Sequence, residues 1–78
     1  MRWFYTYGLD PAGFEMGYAD RGGYLEADTA DDALKQASLK EYPWLHWEQW
    51  EREYTGEDFI SHYNEKNQRY WVRLEQAT

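Results

Sequence analysis

A chain of 78 residues with fifteen acidic against eight basic side chains, net charge −7 and a pI near 4.6, lacks the clustered Lys and Arg that bind phosphate. Direct nucleic-acid binding and attachment to anionic membranes are therefore disfavoured. The length allows one domain spanning 1–78, and a chain this short buries only about 60% of its unfolded surface. With no cysteine for a disulfide staple, its core must come from the aromatics, five Trp, eight Tyr and three Phe.

Arg2 to Tyr7 alternates, with Trp3, Tyr5 and Tyr7 on one side and Arg2, Phe4 and Thr6 on the other. That is strand periodicity carried by strand-favouring residues. Asp10-Pro11, within Gly8 to Gly13, is a turn signal. Phe14, Met16 and Tyr18 alternate again, Asp20-Arg21-Gly22-Gly23 reads as a tight connection, and Tyr24 to Ala27 as a third strand.

Thr29 fits a helix N-cap, because its hydroxyl can accept a bond from a first-turn N–H. Asp31 and Asp32 follow where the helix dipole favours negative charge. Ala30, Ala33, Leu34 and Ala37 then fall on one face, and Pro43 stops the helix at about Tyr42. A helix over 30–42 is predicted, with an apolar face small enough to lie close to a sheet.

Trp44-Leu45-His46-Trp47-Glu48-Gln49-Trp50 holds three of the five tryptophans and fits two patterns. As a helix over 44–54, Trp44, Trp47, Trp50 and Tyr54 make a stripe. As a strand, His46, Glu48, Trp50, Arg52 and Tyr54 share one face; the strand reading is preferred. Thr55 to Asp58 is a turn into a strand over Phe59 to Asn64. Glu65-Lys66-Asn67 is a second turn, into a strand over Arg69 to Glu75 with a frayed end at Gln76-Ala77-Thr78. The expected fold is α+β: about four to six short antiparallel strands packed by one main helix, in the order β-β-β-α-β-β-β.

Catalytic constellations are poorly supported, and no enzyme activity is expected. Ser38 and Ser61 lie in no nucleophile-turn motif, and adjacent Ser61 and His62 would point to opposite faces of a strand. Gly22-Gly23 precedes a strand, not the helix a phosphate cradle requires. His46 and Glu48 on one strand face, with His62 from its neighbour, could form a metal site. Surface or hydrogen-bonded histidine is the commoner case beside large aromatics, so neither metal nor cofactor is expected.

Two acidic groups stand out. Glu26, Asp28, Asp31 and Asp32 crowd a strand-to-helix junction, where capping already accounts for the last two. Glu48, Glu51, Glu53, Glu57 and Asp58 are offset only by Arg52. On a strand, Glu51 and Glu53 stand roughly 6.6–6.8 Å apart on one face, about two phosphate steps along a DNA strand. Two of Trp44, Trp47 and Trp50 are expected in the core. The third, bordered by Glu48, Glu51 and Arg52, has the make-up of an interface anchor.

In size, acidity and aromatic content the chain resembles the small acidic inhibitors encoded by bacteriophages, the anti-CRISPR proteins among them. The acids from Glu48 to Asp58 with Trp47, Trp50 and Tyr54 carry that resemblance, in character and without an aligned motif; Glu26 and Asp28 are added as partner-binding candidates. With neither a signal-peptide core nor an apolar run long enough to span a membrane in the sequence, a soluble monomer or homodimer is expected, and the resemblance puts it in the cytoplasm of a host bacterial cell. Its partner would be a basic protein or nucleoprotein complex such as a Cas effector, blocked sterically or by mimicry of nucleic acid. Two rivals follow from the residues: a carbohydrate-binding module using exposed Trp and Tyr, and an antitoxin-like neutraliser of a basic partner.

Overall fold

The computed structural model describes residues 1–10, 22–55 and 58–77. Their order is β1 (Arg2–Asp10), β2 (Gly22–Glu26), α1 (Ala30–Glu41), a single 3-10 turn (Trp47–Gln49), β3 (Glu51–Thr55), β4 (Asp58–Glu65) and β5 (Gln68–Ala77). The five strands form one antiparallel sheet in the order β2-β1-β5-β4-β3. The α+β class and the single main helix agree with expectation, and the order among the described residues is β-β-α-β-β-β. The strand expected at Phe14 to Tyr18 lies outside the described residues, as do parts of the turns at 8–13, 20–23 and 55–58.

Local chemistry explains the helix. Thr29 is extended, and its Oγ1 accepts from the Asp32 N–H at 3.1 Å. The Tyr42 N–H donates to the Ser38 carbonyl at 2.7 Å and Pro43 bars a further turn. Ala30, Ala33, Leu34, Ala37 and Ser38 are buried. They pack on one face of the sheet against a cluster that includes Trp3, Tyr5, Phe59, Tyr63, Tyr70, Val72 and Leu74.

Hairpin chemistry explains β4 and β5. Lys66 and Asn67 both have positive φ (49° and 65°), as a two-residue loop matched to strand twist requires. The expected fraying at Gln76 and Ala77 is corrected by the sheet. Ala77 pairs with Arg2 and Gln76 with Trp3, so β5 runs its full length beside β1. No local signal marks this, because the partner strand lies at the other end of the sequence.

The preferred strand over the whole of 44–54 is also corrected, and so is the helix alternative. Trp44 and Leu45 lie in a turn, Trp47–Gln49 make the 3-10 turn, and strand pairing begins only at Glu51. The cause is tertiary. The buried Trp50 indole N–H donates to the Ser38 hydroxyl on α1 at 3.0 Å, drawing the chain under the helix before it joins the sheet.

On the face away from α1, Trp71 is buried apart from the main cluster. Its register partner is Gly8, and a Cβ at Gly8 would lie 2.9 Å from the indole Cζ2. The glycine makes room for the ring.

Candidate acidic binding surface

β3 forms one edge of the sheet, with Glu51 opposite His62, Arg52 opposite Ser61 and Glu53 opposite Ile60. Ser61 is buried, with its neighbours Phe59 and Tyr63 in the cluster beneath α1. Alternation therefore turns Arg52 toward the helix side and sends Glu51 and Glu53 together to the opposite face. Both glutamates are exposed.

Arg52 ties the helix start to this edge. Its Nε–H donates to Asp31 Oδ1 at 2.8 Å, and its NH1 donates to the carbonyls of Trp50 (2.9 Å) and Glu48 (3.3 Å). Asp31 is thereby brought beside Glu48 and β3. Glu26 is not, because β2 is the far edge of the sheet, and its carboxylate instead faces the N-terminal ammonium at 3.7 Å. Asp28 is exposed in the link from β2 to α1. Among the described residues the two acidic groups of the sequence thus meet through Asp31. Glu57, and the side chains of Tyr54 and Asp58, lie outside the described residues.

The three clustered tryptophans take three different places. Trp50 is 2% exposed and belongs to the core, which removes it as a contact residue and corrects the expectation for it. Trp47 is half-buried with two cations over its ring, Lys35 at 5.3 Å and Arg52 at 5.9 Å. Only one of the three is fully buried, not two.

Trp44, one of the three tryptophans weighed as the exposed anchor but not among the named partner-binding candidates, is 60% exposed. It stands edgewise to Tyr42 (5.9 Å) and Tyr70 (6.3 Å), while Tyr42 also meets Trp50, Tyr70 and Tyr7. The Tyr42 hydroxyl donates to the Gly8 carbonyl at 3.1 Å, so Trp44 rests on a fixed base. Its place directly after Pro43 was the available signal, since the residue leaving a stopped helix enters a surface loop.

The remaining sequence candidates are structural in this arrangement. His46 lies before the 3-10 turn and not on a strand, and its N–H donates to the Tyr63 hydroxyl at 3.4 Å. Among the described residues no group of three His, Asp or Glu is arranged to hold a metal ion. Tyr5 donates to Glu41 Oε2 at 2.5 Å. Burial first, then that carboxylate acceptor, hold its phenol well above the usual tyrosine range. Among the described residues no helix is long and apolar enough to cross a membrane.

Comparison of the chain with protein-family models, with curated proteins and with solved structures finds no match in any of the three.

Proposed function

We propose that this protein is an acidic binding module that occupies a basic protein surface, of the kind that otherwise receives nucleic acid. The observation that carries the reading is the pair Glu51 and Glu53, exposed on one face of an edge strand at a spacing the backbone fixes. Charges held by a sheet lose less entropy on docking than charges on a loop. Rim charges of this kind mainly speed and orient association, and contribute little affinity individually. Trp44, the exposed tryptophan, stands on Tyr42 and Tyr70 on the helix side of the sheet, the face opposite the two glutamates, so a partner that uses it as an anchor reaches round the sheet to both faces. The resemblance to phage-encoded inhibitors makes CRISPR-Cas effectors the first partners to try.

The test is target-DNA binding by a panel of purified CRISPR-Cas effector complexes, with and without the protein. Inhibition is expected for at least one effector, weakening as salt rises and lost with Glu51→Lys combined with Glu53→Lys. Inhibition of none, or undiminished inhibition by that folded double variant, overturns the reading.

A carbohydrate-binding reading has its own observation in the exposed Trp44 ring, a platform on which a sugar could stack. It predicts a change in tryptophan fluorescence on titration with soluble glycans that Trp44→Ala abolishes; a flat response across a glycan panel removes it.

A further inference from the structure

The sheet has two edges, and they are finished differently. β3 presents Glu51, Arg52 and Glu53 in succession, and charges along an edge deter the addition of another strand. β2 reads Gly-Gly-Tyr-Leu-Glu, with its one charge at the last position. Among the described residues no strand lies beside its outer edge.

At the centre of β2 stands Tyr24, 57% exposed on the face away from α1. Its ring is held by Phe4 at 5.1 Å between centroids and by the Arg2 guanidinium 4.2 Å from its own centroid. A large exposed aromatic in a fixed pose, on an edge strand whose one charge stands at its end, is a ready contact.

We propose that β2 pairs antiparallel with β2 of a second copy of this chain, about a two-fold axis at Tyr24, continuing the sheet across a homodimer. The strand is self-complementary in that register, the one that pairs all five of its residues in both copies. Tyr24 meets Tyr24 of the partner subunit on the axis. Leu25 falls opposite a glycine at position 23, and Glu26 opposite a glycine at position 22, so no two large side chains other than the tyrosines are set against each other across the pair. Glycine is required at position 22 by geometry: its φ of +137° suits glycine, and a Cβ there would overlap the Tyr5 carbonyl. The two Glu26 carboxylates lie at opposite ends of the ladder, roughly 14 Å apart at about 3.4 Å per residue, where salt screens their repulsion. A two-fold contact of this type is closed and stops at two copies. This pairing is independent of what the acidic edge binds, because β3 remains at the outer margin of each copy.

One short strand pair buries less than a standard interface, so the dimer is weak and concentration-dependent. Sedimentation equilibrium of the full chain from about 10 μM to about 1 mM is the test, a range that reads dissociation constants in the micromolar region. The apparent mass is expected to climb from 9.5 kDa toward twice that value. Tyr24→Lys, which sets two like charges on the axis at an exposed position, is expected to hold the chain monomeric. Tyr24→Phe and Glu53→Lys are expected to leave the dimer in place. In the wild type, amide exchange over Gly22–Glu26 is expected to slow with concentration while that over Glu51–Thr55 does not. A monomer throughout the range, a dimer that survives Tyr24→Lys, or concentration-dependent protection at β3 instead of β2 overturns the proposal.

Discussion

Trp44 and Trp50 lie in one short loop and meet the same ring, Tyr42, yet one is 60% exposed and the other 2%. The difference comes from what each can reach. Trp50 finds an acceptor for its indole N–H in the buried Ser38 hydroxyl, while Trp44 leaves the helix immediately after Pro43, where the chain is still at the surface. In a segment this rich in tryptophan, composition sets how much apolar area is on hand, and the geometry of the helix end decides which ring is covered. One ring then holds the fold and its neighbour is left for contact.

The hardest challenge to that contrast is Trp50→Ala. It removes a buried ring and leaves a cavity, and is expected to cost about 3–5 kcal/mol in urea denaturation. That is a large part of the roughly 5–15 kcal/mol available to a small domain. A loss below about 1 kcal/mol would mean that Trp50 is no more a core residue than Trp44.

Ser38→Ala sharpens the same point with a smaller change. It leaves the Trp50 N–H buried without its acceptor and is expected to cost about 1–3 kcal/mol. Gly8→Ala tests the other buried indole, since a methyl group must displace Trp71 or the strand; a cost of about 1–3 kcal/mol is expected from overpacking.

Tyr5 offers a probe by pH. Its raised pKa means that, above about pH 10, the unfolded chain releases this phenolic proton while the folded chain keeps it. Tyr5 therefore contributes stability that is present below that pH and is lost as the pH rises. Denaturation midpoints compared from pH 8 to 11 should fall more steeply for the wild type than for Tyr5→Phe, and parallel curves would refute the assignment.

The smallest effect on stability belongs to Trp44→Ala, about 1 kcal/mol or less from its edgewise ring contacts. Its expected consequence is instead a loss of partner binding. A large drop in melting temperature without any change in binding would reverse the roles given to the two tryptophans.

Much of the fold was legible where neighbours in sequence decide it. The Thr29 cap, the alanine spacing and Pro43 locate α1 almost to the residue, and alternation finds β1 and most of β4 and β5. The loop from Trp44 to Trp50 was not legible, because tryptophans at that spacing suit a helical stripe and a strand about equally. The hydrogen bond that settles it reaches across to another element. The end of β5 was misjudged for a similar reason: Gln76 and Ala77 look frayed until Arg2 and Trp3 are set beside them. At the candidate site, Glu51 and Glu53 share a face as the strand spacing required. That Glu26 sits at the far edge, and that Trp44 is the exposed ring of the three tryptophans, depended on strand order and helix packing that no local pattern records.

The pairing of β1 with β5 at the middle of the sheet has a consequence for how the protein comes into being. Met1 and Gln76 touch across 75 positions of sequence, through the Gln76 amide and the methionine sulfur. The centre of the sheet cannot close until position 77 has left the ribosome. The β3-β4 hairpin and the capped helix can form before then, but β1 lacks its second neighbour until β5, far along the sequence, has emerged. Closing so long a loop is a slow step. For a nascent chain this aromatic, that interval is when aggregation competes hardest with folding.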